Sequence, residues 1–194
     1  EGAHLLNFSE DVVQLQNRLL FLKTHDDADK WGDFSTEYIL QNANEILGMY
    51  LRNCKTNVDV QKIDLHQILL NQLDYNLQQE LQQKAPAKLE VPSGSKITLQ
   101  YSTDASAPIL AVRIQEIFGL NESPRINNGK NTLLLHLLSP AYKPVQITSD
   151  LANFWKSTYF EVKKELKQRY PKHAWPDNPT QHPAIKGTKK QNGL

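Results

Sequence analysis

Along residues 10–23, Val12, Leu15, Leu19 and Leu22 recur at the three- and four-residue spacing of a single helical face, and Val13, Leu20 and Phe21 widen the stripe. The pattern predicts an amphipathic helix. Residues 24–35, "THDDADKWGDFS", interrupt it with acidic turn formers and Gly32. A second helical pattern starts near Ser35, a residue suited to accept from the open N–H groups of a first turn. Its face is Ile39, Ala43, Ile46 and Tyr50, flanked by Leu40, Leu47 and Leu51. A third begins at Asp64, with Gln67 placed as in a capping box, and turns Leu65, Ile68, Leu69, Leu73, Leu77 and Leu81 inward. Asn71 and Asp74 are its expected break points, and Pro86 ends it.

From Ala85 the period changes to two. "KLEVPSGSKITLQY" alternates on both sides of a Pro-Ser-Gly-Ser turn, with Leu89, Val91, Ile97, Leu99 and Tyr101 on one face, and predicts a hairpin. "APILAVRI" has the apolar character of a covered strand, and "QEIFGL" that of a short helical turn stopped by Gly119. In "RINNGKNTLLLHLL", Asn128-Gly129 marks a tight turn leading into the most apolar strand of the chain, and residues 145–147 suggest another strand. A helix is then expected from Thr148 and Asp150 through Trp155. Another should open at Thr158 with Glu161 as a second capping box, facing Tyr159, Val162, Leu166 and Tyr170 inward and Lys163, Lys164 and Lys167 outward. The fold class is α+β: a helical part over residues 1–86, a small mainly antiparallel sheet with C-terminal helices over 87–179, and a disordered basic tail over 180–194.

"RYPKHAWPDNP", residues 169–179, fits neither a helix interior nor a ladder strand, because it holds three prolines. It is also too aromatic for a solvated tail. The expectation is that it runs back over its own domain with Tyr170 and Trp175 plugged into apolar surface.

With 194 residues, 39% of them apolar, the chain can bury a core. Its longest uncharged, mainly apolar run, residues 133–138, is far too short to span a bilayer, so no membrane partner is expected. The single Cys54 allows no internal disulfide and favours a reducing compartment, with the cytoplasm as default. Met49 is the only methionine and residue 1 is Glu, so the chain reads as a piece of a longer protein. Charge is divided unevenly: residues 1–90 hold 8 Lys and Arg against 14 Asp and Glu, and residues 91–194 hold 14 against 7. Any nucleic-acid contact is therefore expected in the second half.

Catalytic motifs are missing. Gly129-Lys130 is followed by Asn131 with Pro at 124, which is no phosphate-binding loop, and one cysteine with six scattered histidines makes no zinc set. His136, Ser139 and Asp150 lie close in sequence, but there is no Gly-x-Ser-x-Gly elbow. His136 reads as a sheet residue, and a hydrolase built round it is the remote alternative. Lys156, Lys163, Lys164, Lys167, Arg169 and Lys172, joined by Tyr170 and Trp175, have the composition of a single-strand-binding surface, with lysines for phosphates and rings for bases. The competing reading is a solvated helix face, its field diluted by Glu161 and Glu165.

The segments "VPSGSKITLQYS", "PILAVRIQEIFGL" and "PRINNGKNTLLLHLLSPAYKPVQITSDLANFWKSTYFEVKKELKQRYPKHAWPDNP" resemble the C-terminal region of the HrpB-type bacterial DEAH-box RNA helicases. "VVQLQNRLLFLK", "ILQNANEILGMYL" and "KIDLHQILLNQLDYNLQQELQQKAP" resemble the helical segment before it, so the likeness spans about residues 12–179. The chain departs from the family at residues 70–78, "LNQLDYNLQ", where a Leu-Pro-Trp-Glu-Leu-Gln pattern is usual. The resemblance implies an ATP-driven RNA helicase whose motor lobes hold ATP and Mg, and none of those motor elements occurs in this chain. The expectation is a non-catalytic accessory region, with no catalytic, cofactor-binding or metal-binding residue of its own. It would bind single-stranded RNA or dock on the motor domains of the same parent chain, the alternative being a stand-alone protein-interaction module.

Overall fold

Side-chain caps fix where most of the helices begin in the computed structural model, which describes residues 5–193. The helices of the first half are α1 (Glu10–His25), α2 (Ala28–Trp31), α3 (Thr36–Gln41), α4 (Ala43–Leu51), α5 (Asn57–Gln61), α6 (Leu65–Leu70) and α7 (Tyr75–Lys84). Ser9, Ser35, Asp64 and Asp74 accept from Val12, Tyr38, Gln67 and Leu77 at the starts of α1, α3, α6 and α7. Each such cap satisfies one open N–H and contributes about 1 kcal/mol. Asp74 thus divides the third predicted helix as expected, whereas the second divides at Asn42, which was not foreseen. Gln67 does not complete a capping box with Asp64, because its amide donates to Asn71 Oδ1 at 2.8 Å. The reciprocal box is at Thr56 and Asp59 and opens α5, a helix with no buried residue and hence no hydrophobic period to betray it.

The chain forms two compact units, one comprising residues up to Pro86 together with Tyr101–Ser106 and the other Ala87–Gln100 with residues 107 onward. In the helical unit α1 packs against α2, α6 and α7, burying Leu15, Leu19, Leu22, Trp31, Leu65 and Leu81. Tyr101 belongs here rather than to the hairpin face predicted for it. Its ring meets Phe21 edge-on at 5.6 Å, its N–H donates to Gln14 Oε1, its carbonyl accepts from Asn17, and its hydroxyl donates to Pro86 O. Arg18 is buried too, with Nε donating to Ala85 O at 2.7 Å and Nη2 to Gln82 Oε1 at 3.2 Å. A chain of ion pairs runs Lys30–Glu80–Lys84–Asp26, and Asp26 also accepts from Trp31 Nε1.

The sheet unit contains β1 (Lys88–Glu90), β2 (Lys96–Gln100), β3 (Ile109–Arg113), β4 (Arg125–Ile126), β5 (Asn131–Thr132), β6 (Leu134–Leu138) and β7 (Pro144–Thr148). Five strands form one sheet in the order β1-β2-β3-β6-β7, antiparallel except for the parallel β3–β6 pair, and β4 and β5 form a separate hairpin. The fold is therefore mixed helix and sheet, as the pattern predicts. Leu110, Val112, Leu135 and Leu137 fill the covered face. Beyond the sheet lie α8 (Leu151–Lys156), capped by Asp150, and α9 (Tyr159–Arg169), where Thr158 makes no side-chain cap and the expected box is not formed. Phe118, Phe154, Trp155 and Tyr159 make a cluster of tilted and edge-on rings, and Trp155 Nε1 donates to Leu120 O at 2.7 Å.

The proline-rich segment after α9 returns over this unit. Trp175 is 6% exposed and its Nε1 donates to Tyr170 O, while Tyr170 itself stays half-buried. Tyr159 Oη and Lys163 Nζ both donate to Pro176 O at 3.0 Å. Burial first, and the nearby Asp177 charge second, push the Tyr159 phenol up, so it remains a donor. Gly119, at φ 86°, donates to Pro179 O at 3.0 Å. Residues 180–193, expected as a disordered tail, follow on. Ile185 is 5% exposed with its N–H on Gln115 O, and Lys189 N–H donates to Lys172 O at 2.9 Å. One buried isoleucine and scattered backbone bonds leave no periodic trace, which is why the pattern missed them.

Trp175→Ala is expected to cost about 3–5 kcal/mol and to lower the thermal midpoint by many degrees when followed by circular dichroism; an unchanged midpoint would show that the ring carries no stability. Hydrogen bonds from Lys30 and then Lys84 hold the Glu80 carboxyl below its usual value of 4.5. Because the folded value is the lower one, this stabilisation is complete above pH 4.5 and lost as pH falls through the folded value. Glu80→Gln should therefore cost no more than about 1 kcal/mol at neutral pH, with the difference from the parent chain vanishing in acid denaturation series.

Candidate functional site

The expected basic surface lies at the end of α8, along α9 and in the turn after it. Lys156, Lys164, Lys167, Arg169 and Lys172 are exposed. Among the described residues, Lys156, Lys164 and Lys172 touch no carboxylate, while Arg169 Nη2 lies 3.4 Å from Glu165. Lys163 is different: its side chain is 13% exposed, bonded to Pro176 O and paired with Asp177. The hydrogen bond and charge of Lys163, with help from Lys167, hold the Asp177 carboxyl below its usual range. Trp175, expected as a base platform, is buried and cannot stack on a base without opening the fold. Five of the eight expected contact residues thus face outward, Tyr170 is half-buried, and Lys163 and Trp175 fasten residues 170–179, a strap over the sheet unit.

The structure adds cations that the pattern reading left in the tail. The Lys189–Lys172 backbone bond brings exposed Lys186, Lys189 and Lys190 to the C-terminal end of the strip. Beside Lys172, the His173 imidazole is held below its usual value by burial, which outweighs a hydrogen bond with the Gly187 backbone, and the Arg113 charge adds to it. The signal for these residues was Ile185, an isolated apolar residue within a polar basic run. At the other end of the strip, Lys156 and the exposed ring of Phe160 border a cleft of about 500 Å³ that Asn121, Glu122 and Asn178 also line.

No hydrolytic constellation assembles round His136. It sits half-buried on β6 opposite Ala111 and Ile147, while Ser139 Oγ accepts from Lys143 N–H and Asp150 Oδ1 from Asn153 N–H. Cys54 Sγ donates to Tyr50 O at 3.6 Å. Among the described residues no group of three or more His, Cys, Asp or Glu is arranged to hold a metal, and no helix is long and apolar enough to cross a membrane. The helical unit carries an open apolar groove of about 760 Å³, lined by Leu5, Leu6, Leu40, Leu47, Leu51 and Val60.

Comparison with known proteins places this chain. The family model described as ATP-dependent helicase C-terminal (HrpB C-terminal) matches residues 46–179. The ATP-dependent RNA helicase HrpB of Escherichia coli (strain K12) is 40% identical over 190 residues, covering 98% of this chain and 23% of that protein. The crystal structure of the E. coli DExH-box NTPase HrpB matches with a TM-score of 0.89 and 39% identity, over 95% of this chain and 23% of that one. A second structure, of the Escherichia coli DEAH/RHA helicase HrpB, matches with a TM-score of 0.74 and 38% identity, over 89% and 22%. The chain spans less than a quarter of the length of these relatives. The resemblance carried by its strands and C-terminal helices is therefore one of kinship, and the chain belongs to the HrpB-type ATP-dependent helicase C-terminal family.

Proposed function

We propose that this chain is a non-catalytic RNA-binding extension of an ATP-dependent RNA helicase, whose ATP- and Mg-dependent motor lies elsewhere in the parent protein. The observation that carries the reading is the strip of exposed Lys156, Lys164, Lys167, Arg169 and Lys172, lengthened by Lys186, Lys189 and Lys190 through the Lys189–Lys172 bond. Cations spaced along a helix and an extended segment suit a flexible phosphate backbone, and binding releases the counterions condensed on it. Sequence selectivity is not required of such a surface, because the motor of a translocating enzyme must pass over any base.

The apolar groove of the helical unit supports a second reading, in which that unit docks on the motor domains of the same parent chain. Five leucines, Ala43 and Val60 dominate its lining over Thr36, Glu37 and Gln41, a composition suited to packing rather than to phosphate contact.

Fluorescence anisotropy with a labelled single-stranded oligouridylate tests the first reading. Five phosphate contacts predict a loss of affinity of about a hundredfold between about 50 and 200 mM salt, and a triple Lys164→Gln, Lys167→Gln, Lys172→Gln variant should reduce the logarithmic salt slope by about 2. Absence of binding at the lower salt would overturn it. Docking through the groove should instead be nearly indifferent to salt and weakened by Leu51→Glu, measured as binding to the remainder of the parent helicase, with RNA affinity unchanged.

A further inference from the structure

The turn between β6 and β7 spends backbone conformation on an aromatic ring that the core does not use. Buried Ser139 organises the turn: its N–H donates to Lys143 O at 2.8 Å, its carbonyl accepts from Tyr142 N–H at 2.9 Å, and its Oγ accepts from Lys143 N–H at 3.1 Å. These bonds hold Tyr142 at φ 60°, the left-handed region where a Cβ crowds the following carbonyl and where Gly or Asn fits best. A bulky residue held there points to a use for its side chain. Tyr142 gains nothing from burial, for it is 65% exposed.

The ring is nonetheless held. The Arg113 guanidinium carbon lies 4.9 Å from its centroid. Arg113 is itself fixed by Glu116, which is 3% exposed and accepts from Arg113 Nε at 3.2 Å, Ser95 Oγ at 2.6 Å and Ser93 Oγ at 3.3 Å. Burial alone would raise the Glu116 carboxyl, but the bonds from Arg113 and Ser95 outweigh it and keep the group below its usual value, so the ion pair persists at neutral pH. A buried carboxylate thus positions a guanidinium, and the guanidinium backs a flat ring whose outer side faces solvent. Two cations adjoin the ring: Arg113 behind it and Lys143, its exposed chain neighbour.

We infer that Tyr142, backed by Arg113, is a stacking platform for one unpaired nucleobase, with Lys143 meeting a phosphate that flanks it. The inference rests on the RNA-binding reading and deepens it, by giving that strip the aromatic surface that buried Trp175 does not provide. A cation-backed π face beside an exposed lysine matches the two parts of a nucleotide, the flat base and the anionic linkage. An acidic peptide would satisfy Lys143 and leave the ring without a role.

Tyr142→Gly separates ring from strain, because glycine fits the left-handed position. The variant chain should melt at or above the temperature of the parent chain, yet bind single-stranded oligouridylate about tenfold more weakly, with the salt slope unchanged because no phosphate contact is lost. Tyr142→Phe should bind like the parent, and an oligonucleotide of abasic sites should bind all three chains equally. Full affinity in Tyr142→Gly, together with weakened binding in the Lys164, Lys167 and Lys172 glutamine variant, would overturn the platform and leave the basic strip standing. An equal loss for the abasic strand or for polyglutamate would overturn it as well, since the ring would then not be reading a base. Failure of the parent chain to bind RNA would remove both proposals together.

Discussion

The carbonyl of Pro176 is the point from which the outer layer of the sheet unit hangs. It accepts from Tyr159 Oη and Lys163 Nζ, both on α9, and so ties the segment after the helix back onto the helix that precedes it. Trp175, one residue earlier, is buried as a result. Pro171, Pro176 and Pro179 lower the entropy of the unfolded chain and ease the ordering of an otherwise irregular strap. The arrangement consumes two residues that composition would assign to RNA: Lys163 becomes a clasp and Trp175 a plug. It returns three lysines, because the strap continues through the Gly119–Pro179, Ile185–Gln115 and Lys189–Lys172 backbone bonds and carries residues 186–190 back to Lys172.

Which features were legible in the chain follows from their physics. Helix starts at Ser35, Asp64 and Asp74 could be read because a short acceptor before an apolar period has one function there. The capping boxes expected at Asp64–Gln67 and Thr158–Glu161 failed because a second polar residue at the right spacing has other partners open to it, as Gln67 finds in Asn71. Tyr101 continues the alternation of β2 perfectly well, yet polar contacts with Gln14 and Asn17 and its hydroxyl on Pro86 draw it into the helical unit. No local pattern encodes that choice, since the partners lie over eighty residues away for two of the three.

The basic surface was legible as charge and illegible as geometry. Lysine spacing along α9 shows which residues point outward, but not that the strap would capture Lys163 or that Ile185 would anchor a stretch resembling a tail. The Tyr142 turn was equally hidden. In sequence it is a polar loop with prolines, and only the positive φ, the exposed ring and the Glu116-held guanidinium together distinguish it from an ordinary connection.

The extended basic strip exists only if the strap and the stretch after it are part of the folded unit, so that the cations of residues 186–190 are held rather than trailing. Native-state amide hydrogen exchange reads this directly at Gly119, Ile185 and Lys189, whose N–H groups donate to Pro179, Gln115 and Lys172. Exchange slowed at all three, with Gly119 and Ile185 approaching the protection of the β3 and β6 amides, is the predicted result. Exchange at Ile185 and Lys189 at the rate of an unstructured peptide would contradict it, and with it the extended basic strip.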